Sequence, residues 1–128
     1  MNKKLKIFII GWDEFNYEQL KHLPEADEYE FLPAIYFSEM RGVKNLSIPR
    51  MLNIAEERIN EAGNMDAIVS FFDFPGTVLL PIFAKKYNLT GPSLQSVIKC
   101  EHKFWSRLEQ QKAIPANIPR FISPRGNA

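Results

Sequence analysis

The sequence predicts an α/β fold, a parallel sheet of about four strands with helices on both faces, and three observations predict it. The run Ile7 to Ile10 in LKIFIIGWDE is continuously apolar, which suits a strand buried on both faces, as in parallel sheets. Strand-like and helix-like segments then alternate with short connections, an order that implies right-handed crossovers between parallel strands. The chain has 128 residues, 45% of them hydrophobic and ten of them Phe. One soluble globular domain of that length removes roughly two thirds of its extended surface from water.

Taken in order, the first strand is closed by Gly11, and Asn16 to Leu23 reads as a helix ending before Pro24. The segment YEFLPAIYF, residues 29 to 37, is rich in aromatic and β-branched residues and forms a second strand. Pro33 cannot donate a ladder hydrogen bond, so this strand belongs at an edge or carries a bulge. After the loop SEMRGVKNLS, a helix starts near Ile48 with Pro49 in its first turn, where a missing N–H costs little. Met51, Leu52, Ile54, Ala55, Ile59 and Ala62 give it a one-sided apolar stripe, and Gly63 stops it. MDAIVSFFD, residues 65 to 73, is the third strand, followed by a helix in FPGTVLLPIFAKKYN that Pro81 kinks or begins. NLTGPS is expected to be a brief fourth strand and a turn. A helix from Ser93, its N-cap, to about Lys112 follows, and AIPANIPRFISP, with four of the nine prolines, cannot continue it.

The composition narrows the function. Net charge is +1 and both signs are distributed along the chain, so neither a nucleic-acid partner nor an anionic membrane is expected. One local bias stands out: residues 99 to 125 hold Lys99, Lys103, Arg107, Lys112, Arg120 and Arg125 against Glu101 and Glu109, which points to local anion binding. The single Cys excludes a disulfide within the chain. The apolar run after the basic N-terminus is too short for a signal peptide, and a cytoplasmic location is expected.

In open α/β sheets, ligands bind beyond the carboxyl ends of the strands, where the strand order reverses. The loops Gly11–Trp12–Asp13–Glu14 and Asp73–Phe74–Pro75–Gly76 are therefore the places for a site. Cys100 and His102 lie two residues apart, about 200° around a helix, so they cannot share a metal or act as nucleophile and base. They read instead as a buried small Cys and a surface or capping His. Lys99, Lys103 and Arg107, spaced i, i+4, i+8, form a row of cations opposite the apolar side of their helix. Such a row is a solvated face or a phosphate contact. Asp13, Glu14 and Asp73 resemble the acidic set of phosphorelay receiver domains, although their spacing is longer and no fifth strand ending in Lys follows. Loop carboxylates that cap the following helices are the plainer account. One Gly stands where a dinucleotide G-x-G-x-x-G needs three, and no Walker-type or G-x-S-x-G motif is present.

The stretch from Met65 to Phe121 resembles the junction in ATP-grasp ligases, including biotin-carboxylase-like and carboxylate–amine ligases. There a small Rossmann-like preATP-grasp domain hands over to the nucleotide-binding domain. The residues that carry the resemblance are a strand ending in Asp73, a helix, Gly91–Pro92–Ser93, a second helix, His102–Lys103 in place of the family's Asp–Lys pair, Arg107 four residues on, and Ile114–Pro115 before a proline-rich run. Residues 1 to 64 match only through their β–α–β order. The resemblance implies a preATP-grasp domain over residues 1–113 and, over 114–128, a linker or the first segment of an ATP-grasp domain missing from this chain. It implies that Lys103 contacts ATP phosphates and that Arg107 supports it. Gly11, Trp12, Asp13, Phe72, Asp73 and Phe74 would face the cleft for a small carboxylate or amine substrate. ATP and Mg²⁺ would belong to the full-length parent, in which ATP activates a carboxylate as an acyl phosphate. This chain, with no catalytic residue or metal ligand of its own, would be inactive alone and open to self-association through its interdomain surface. The alternative is a stand-alone flavodoxin-like or receiver-like binding or signalling module.

Overall fold

The computed structural model describes residues 3–41 and 44–123 and divides the chain into two compact units, Met1–Gly91 and Pro92–Ala128. Gly42 and Val43 of the expected loop, and Pro124 to Ala128 with Arg125, lie outside the described residues.

The first unit is an α/β layer structure built on a small parallel sheet. Strand β1 (Leu5–Trp12) is central, β2 (Tyr29–Tyr36) lies on one side and β3 (Ala67–Ser70) on the other, giving the order β2-β1-β3. Phe8, Ile9 and Ile10 are all essentially inaccessible. Since successive side chains point to opposite faces, both faces of β1 are covered, as its unbroken apolar run demands. Pro33 sits on an edge strand, next to a register shift between Ile9↔Pro33 and Ile10↔Ile35, and a second shift places Gly11 as the extra residue of β1 before Trp12↔Tyr36. Gly11 adopts φ +84°, a left-handed conformation that glycine takes without steric cost.

Among the described residues, four α-helices and a 3-10 turn complete this unit with the strands. Helix α1 (Glu14–Leu20) begins earlier than expected because Asp13 caps it, its side chain accepting from the Asn16 backbone N–H. Helix α2 (Phe37–Met40) occupies part of the expected loop. Helix α3 (Ile48–Ala62) follows Ser47 as N-cap, carries Pro49 in its first turn and ends at Gly63, φ +87°. Helix α4 (Gly76–Lys86) runs through Pro81, and a 3-10 turn covers Ala26–Glu28. Met51, Ala55 and Ile59 of α3 join Leu79, Phe83 and Ala84 of α4 against Phe8, Ile10, Ala34 and Ile35 in one core. Gly76 is packed so closely that a Cβ there would overlap Ser70 Oγ, which seats the start of α4 on the end of β3.

One expectation fails here. Residues 88 to 93 form no strand, so the described sheet has three strands and not four. The segment is too short and too rich in Gly and Pro to add a ladder.

The second unit contains α5 (Leu94–Glu101) and α6 (Lys103–Ala113), then a 3-10 turn at Pro115–Asn117 and an extended run. The continuous helix expected from Ser93 to Lys112 is broken at His102, whose extended backbone (φ −80°, ψ 103°) ends α5 and begins α6. The row Lys99, Lys103, Arg107 therefore does not lie on one helix. The buried position expected for Cys100 is also overturned, because it is exposed. Its helix is one side of a two-helix unit with no core to receive it: none of residues 92–123 is buried.

Candidate functional site

The 2-1-3 strand order brings the loops after β1 and β3 to adjacent positions at the carboxyl end of the sheet. The residues expected there fall into an aromatic group and a polar group. Phe72 packs on Gly11 so tightly that a Cβ at position 11 would overlap its ring. On Phe72 stacks Phe37, with ring centroids 4.2 Å apart, and the Arg41 guanidinium lies 5.4 Å from the Phe37 centroid. Trp12, half-buried, contacts the Tyr17 ring at 4.5 Å. Phe74 is largely exposed and precedes a cis peptide bond to Pro75.

Both carboxylates are engaged locally. Asp13 accepts from the Asn16 backbone N–H (2.9 Å) at Oδ1 and from its side-chain amide (2.6 Å) at Oδ2, which fixes it as a helix cap. Asp73 Oδ1 accepts from the Phe74 N–H at 2.9 Å, and its carbonyl accepts from the Gly76 N–H. Among the described residues no three His, Cys, Asp or Glu side chains gather to hold a metal ion. Asp13, Glu14 and Asp73 thus do not assemble the acidic cluster that a receiver-like site requires.

The end of β2 contributes residues beyond the loops that follow the first and third strands. Glu39 accepts a bidentate pair from Arg58 (2.8 and 2.9 Å) and a bond from the Tyr36 N–H (2.8 Å). Arg58 also donates to the Ala34 carbonyl and lies over the Tyr36 ring. The Arg58 guanidinium, against a smaller desolvation cost, holds the Glu39 carboxyl below its usual range and is itself raised by the same hydrogen bond. Tyr36, Phe37 and Arg41 belong to this end because all three strands are parallel, and that parallelism was the available signal.

Lys103 and Arg107 belong to the second unit. Lys103 is the first residue of α6 and exposed, and Arg107 lies one turn on and is half-buried. His102 Nδ1 accepts a long, 3.5 Å bond from the Trp105 N–H and so caps α6. Lys99, in contrast, pairs with Glu109 at 3.2 Å, and Lys112 pairs with the same carboxylate at 3.0 Å. Neither Lys103 nor Arg107 has a carboxylate within ion-pair distance among the described residues. No helix of the described residues is long and apolar enough to cross a membrane.

No family model, curated protein or solved structure matches the chain.

Proposed function

We propose that this chain is the preATP-grasp domain of an ATP-dependent ligase, forming one wall of the cleft for ATP and a carboxylate or amine acceptor. The observation that carries the reading is the placement of Lys103. It is the exposed first residue of α6, with no carboxylate partner among the described residues and no acidic residue in that helix's first turn. Helix N-termini present free backbone N–H groups and the positive end of the helix dipole, which favour anions. A lysine there adds a mobile point charge suited to a phosphate oxygen. Arg107, one turn further along the same helix, supports the same field.

On this reading the strand-end residues Gly11, Trp12, Asp13, Phe72, Asp73 and Phe74 shape the acceptor side. Mg²⁺ and most nucleotide contacts come from the ATP-grasp domain. The chain alone is expected to bind MgATP weakly or not at all by isothermal titration. Joined to its ATP-grasp domain, the Lys103→Ala protein loses about tenfold in MgATP affinity, equivalent to ~1.4 kcal/mol, and Lys103→Arg recovers part of it. Unchanged affinity and activity in Lys103→Ala would sink the assignment. The receiver-like alternative is weakened by Asp13, whose carboxylate serves as the cap of α1 and accepts from Asn16 at both oxygens. Incubation with acetyl phosphate and Mg²⁺ is expected to leave Asp73 unmodified, as read by intact mass.

A further inference from the structure

We infer that the groove between α5 and α6 is a docking site for an acidic amphipathic helix of a partner protein. This inference goes beyond the proposed ligase role and does not use the strand ends.

The groove has a volume of about 570 Å³ and is lined by Leu94 and Ile98 from α5, Trp105 and Leu108 from α6, and the charged pair Lys99 and Glu109. Trp105 is 47% exposed and Leu108 39%, large apolar side chains left facing solvent. Leu108 also lines a second groove, of about 750 Å³, together with Phe104, Ile118 and Phe121. The apolar surface is therefore continuous across α6. A small ligand would fill the first groove and leave the rest wet, whereas a helix can lay anchors at i, i+3 or i+4 and i+7 along it.

Charge selects the occupant. Residues 92–128 hold six Lys or Arg against two Glu, net +4, while residues 1–91 hold ten against thirteen Asp or Glu, net −3. The lining of the groove holds one cation and one carboxylate, Lys99 and Glu109, and beside it Lys112 pairs with the same Glu109, so the rim carries one cation in excess. Lys112 first and then Lys99 hold the Glu109 carboxyl below its usual range. A partner carboxylate can take Lys112, which is 70% exposed, without breaking the Lys99–Glu109 bridge. Two copies meeting through this unit would bring together two segments of net charge +4, which opposes association. A bilayer is the poorer fit because interfacial helices bury a protruding apolar face, and here the apolar side chains line a concavity.

The test uses the full chain and a fluorescein-labelled peptide of about 16 residues, with Leu at i, i+3, i+7 spacing and Glu and Ala elsewhere. Fluorescence anisotropy is expected to show saturable binding that weakens about tenfold on Leu108→Gln and on Lys112→Glu. Binding also weakens between about 50 and 300 mM NaCl. Trp105→Ala provides a second apolar deletion, and far-UV circular dichroism shows that each variant keeps its helices. A charge-reversed peptide, with Lys for Glu, is not expected to bind. Absence of binding by the acidic peptide, equal binding of the reversed peptide, or indifference to all three substitutions overturns the inference. So does Leu108-dependent sedimentation with phosphatidylserine-containing vesicles, or Leu108-dependent dimerisation in velocity sedimentation, when the acidic peptide does not compete.

Discussion

Phe83 and Trp105 are both large aromatic side chains on helices of eleven residues, yet one is fully sealed and the other is 47% exposed. Phe83 lies on α4, which meets a sheet and a neighbouring helix at a shared core. Trp105 lies on α6, whose unit holds α5 and a short extended run and buries none of its described residues. The difference teaches that apolar content alone does not make a core. A helix stripe is sealed only when a second layer is broad enough to cover it, and 37 residues fall below the size at which a chain usually seals its own interior.

The largest expected difference follows directly. Phe83→Ala removes a fully buried ring and is expected to cost about 3–5 kcal/mol in urea unfolding, whereas Trp105→Ala shifts the same transition by under ~1 kcal/mol. Equal effects would mean that the second unit has a core of its own. Limited trypsin digestion is expected to cut first after Lys103, Arg107 or Lys112, in a region with few buried contacts, and to leave the α/β unit intact. Mass spectrometry of the first fragments checks it.

Within the α/β unit, two glycines of nearly equal φ separate strain from crowding. Gly11→Ala is expected to destabilise by about 2–3 kcal/mol, because the left-handed backbone and the Phe72 ring both oppose a Cβ. Gly63→Ala is expected to cost about 1 kcal/mol, because nothing lies near its added methyl and only the backbone objects. A smaller effect comes from Arg58→Ala, about 1–2 kcal/mol at neutral pH, since Arg58 donates to a carboxylate and to a strand carbonyl while remaining about a quarter exposed. The Glu39 pKa is lowered in the folded state. Its contribution is therefore present above the unfolded value of about 4.3 and is lost as pH falls through the lower folded value. Urea midpoints between about pH 5 and pH 3 should fall more for the native chain than for Arg58→Ala. The smallest effect is expected in the second unit, where Lys112→Ala leaves the unfolding midpoint unchanged because the pair is surface-exposed.

Much of the α/β unit was legible because its signals are local. Ile7 to Ile10 required a strand covered on both faces, Ser47, Pro49 and Gly63 bounded α3, and Pro33 required an edge or a bulge and found both. The site was legible only as places: the loops after the first and third strands meet, but the partners of their residues were not readable. Phe37 and Arg41, thirty residues from Trp12 or fewer, join Phe72 through the parallel sheet and not through any spacing in the chain. His102 is legible as a surface or capping residue, yet its power to break the helix is not, because apolar periodicity continues on both sides of it.

The sequence by itself determined the parallel α/β character of residues 1–91, the ends of α3, and the basic, apolar-rich character of the last third, because each follows from neighbouring side chains and backbone preferences. Only the tertiary structure decided that the sheet stops at three strands among the described residues, that Phe72 closes over Gly11, and that Glu39 belongs to Arg58. It also decided that Lys99 belongs to Glu109 while Lys103 has no carboxylate partner among the described residues. Such pairings join residues distant in the chain, and their energy depends on distance, burial and direction, which exist only once the layers have packed.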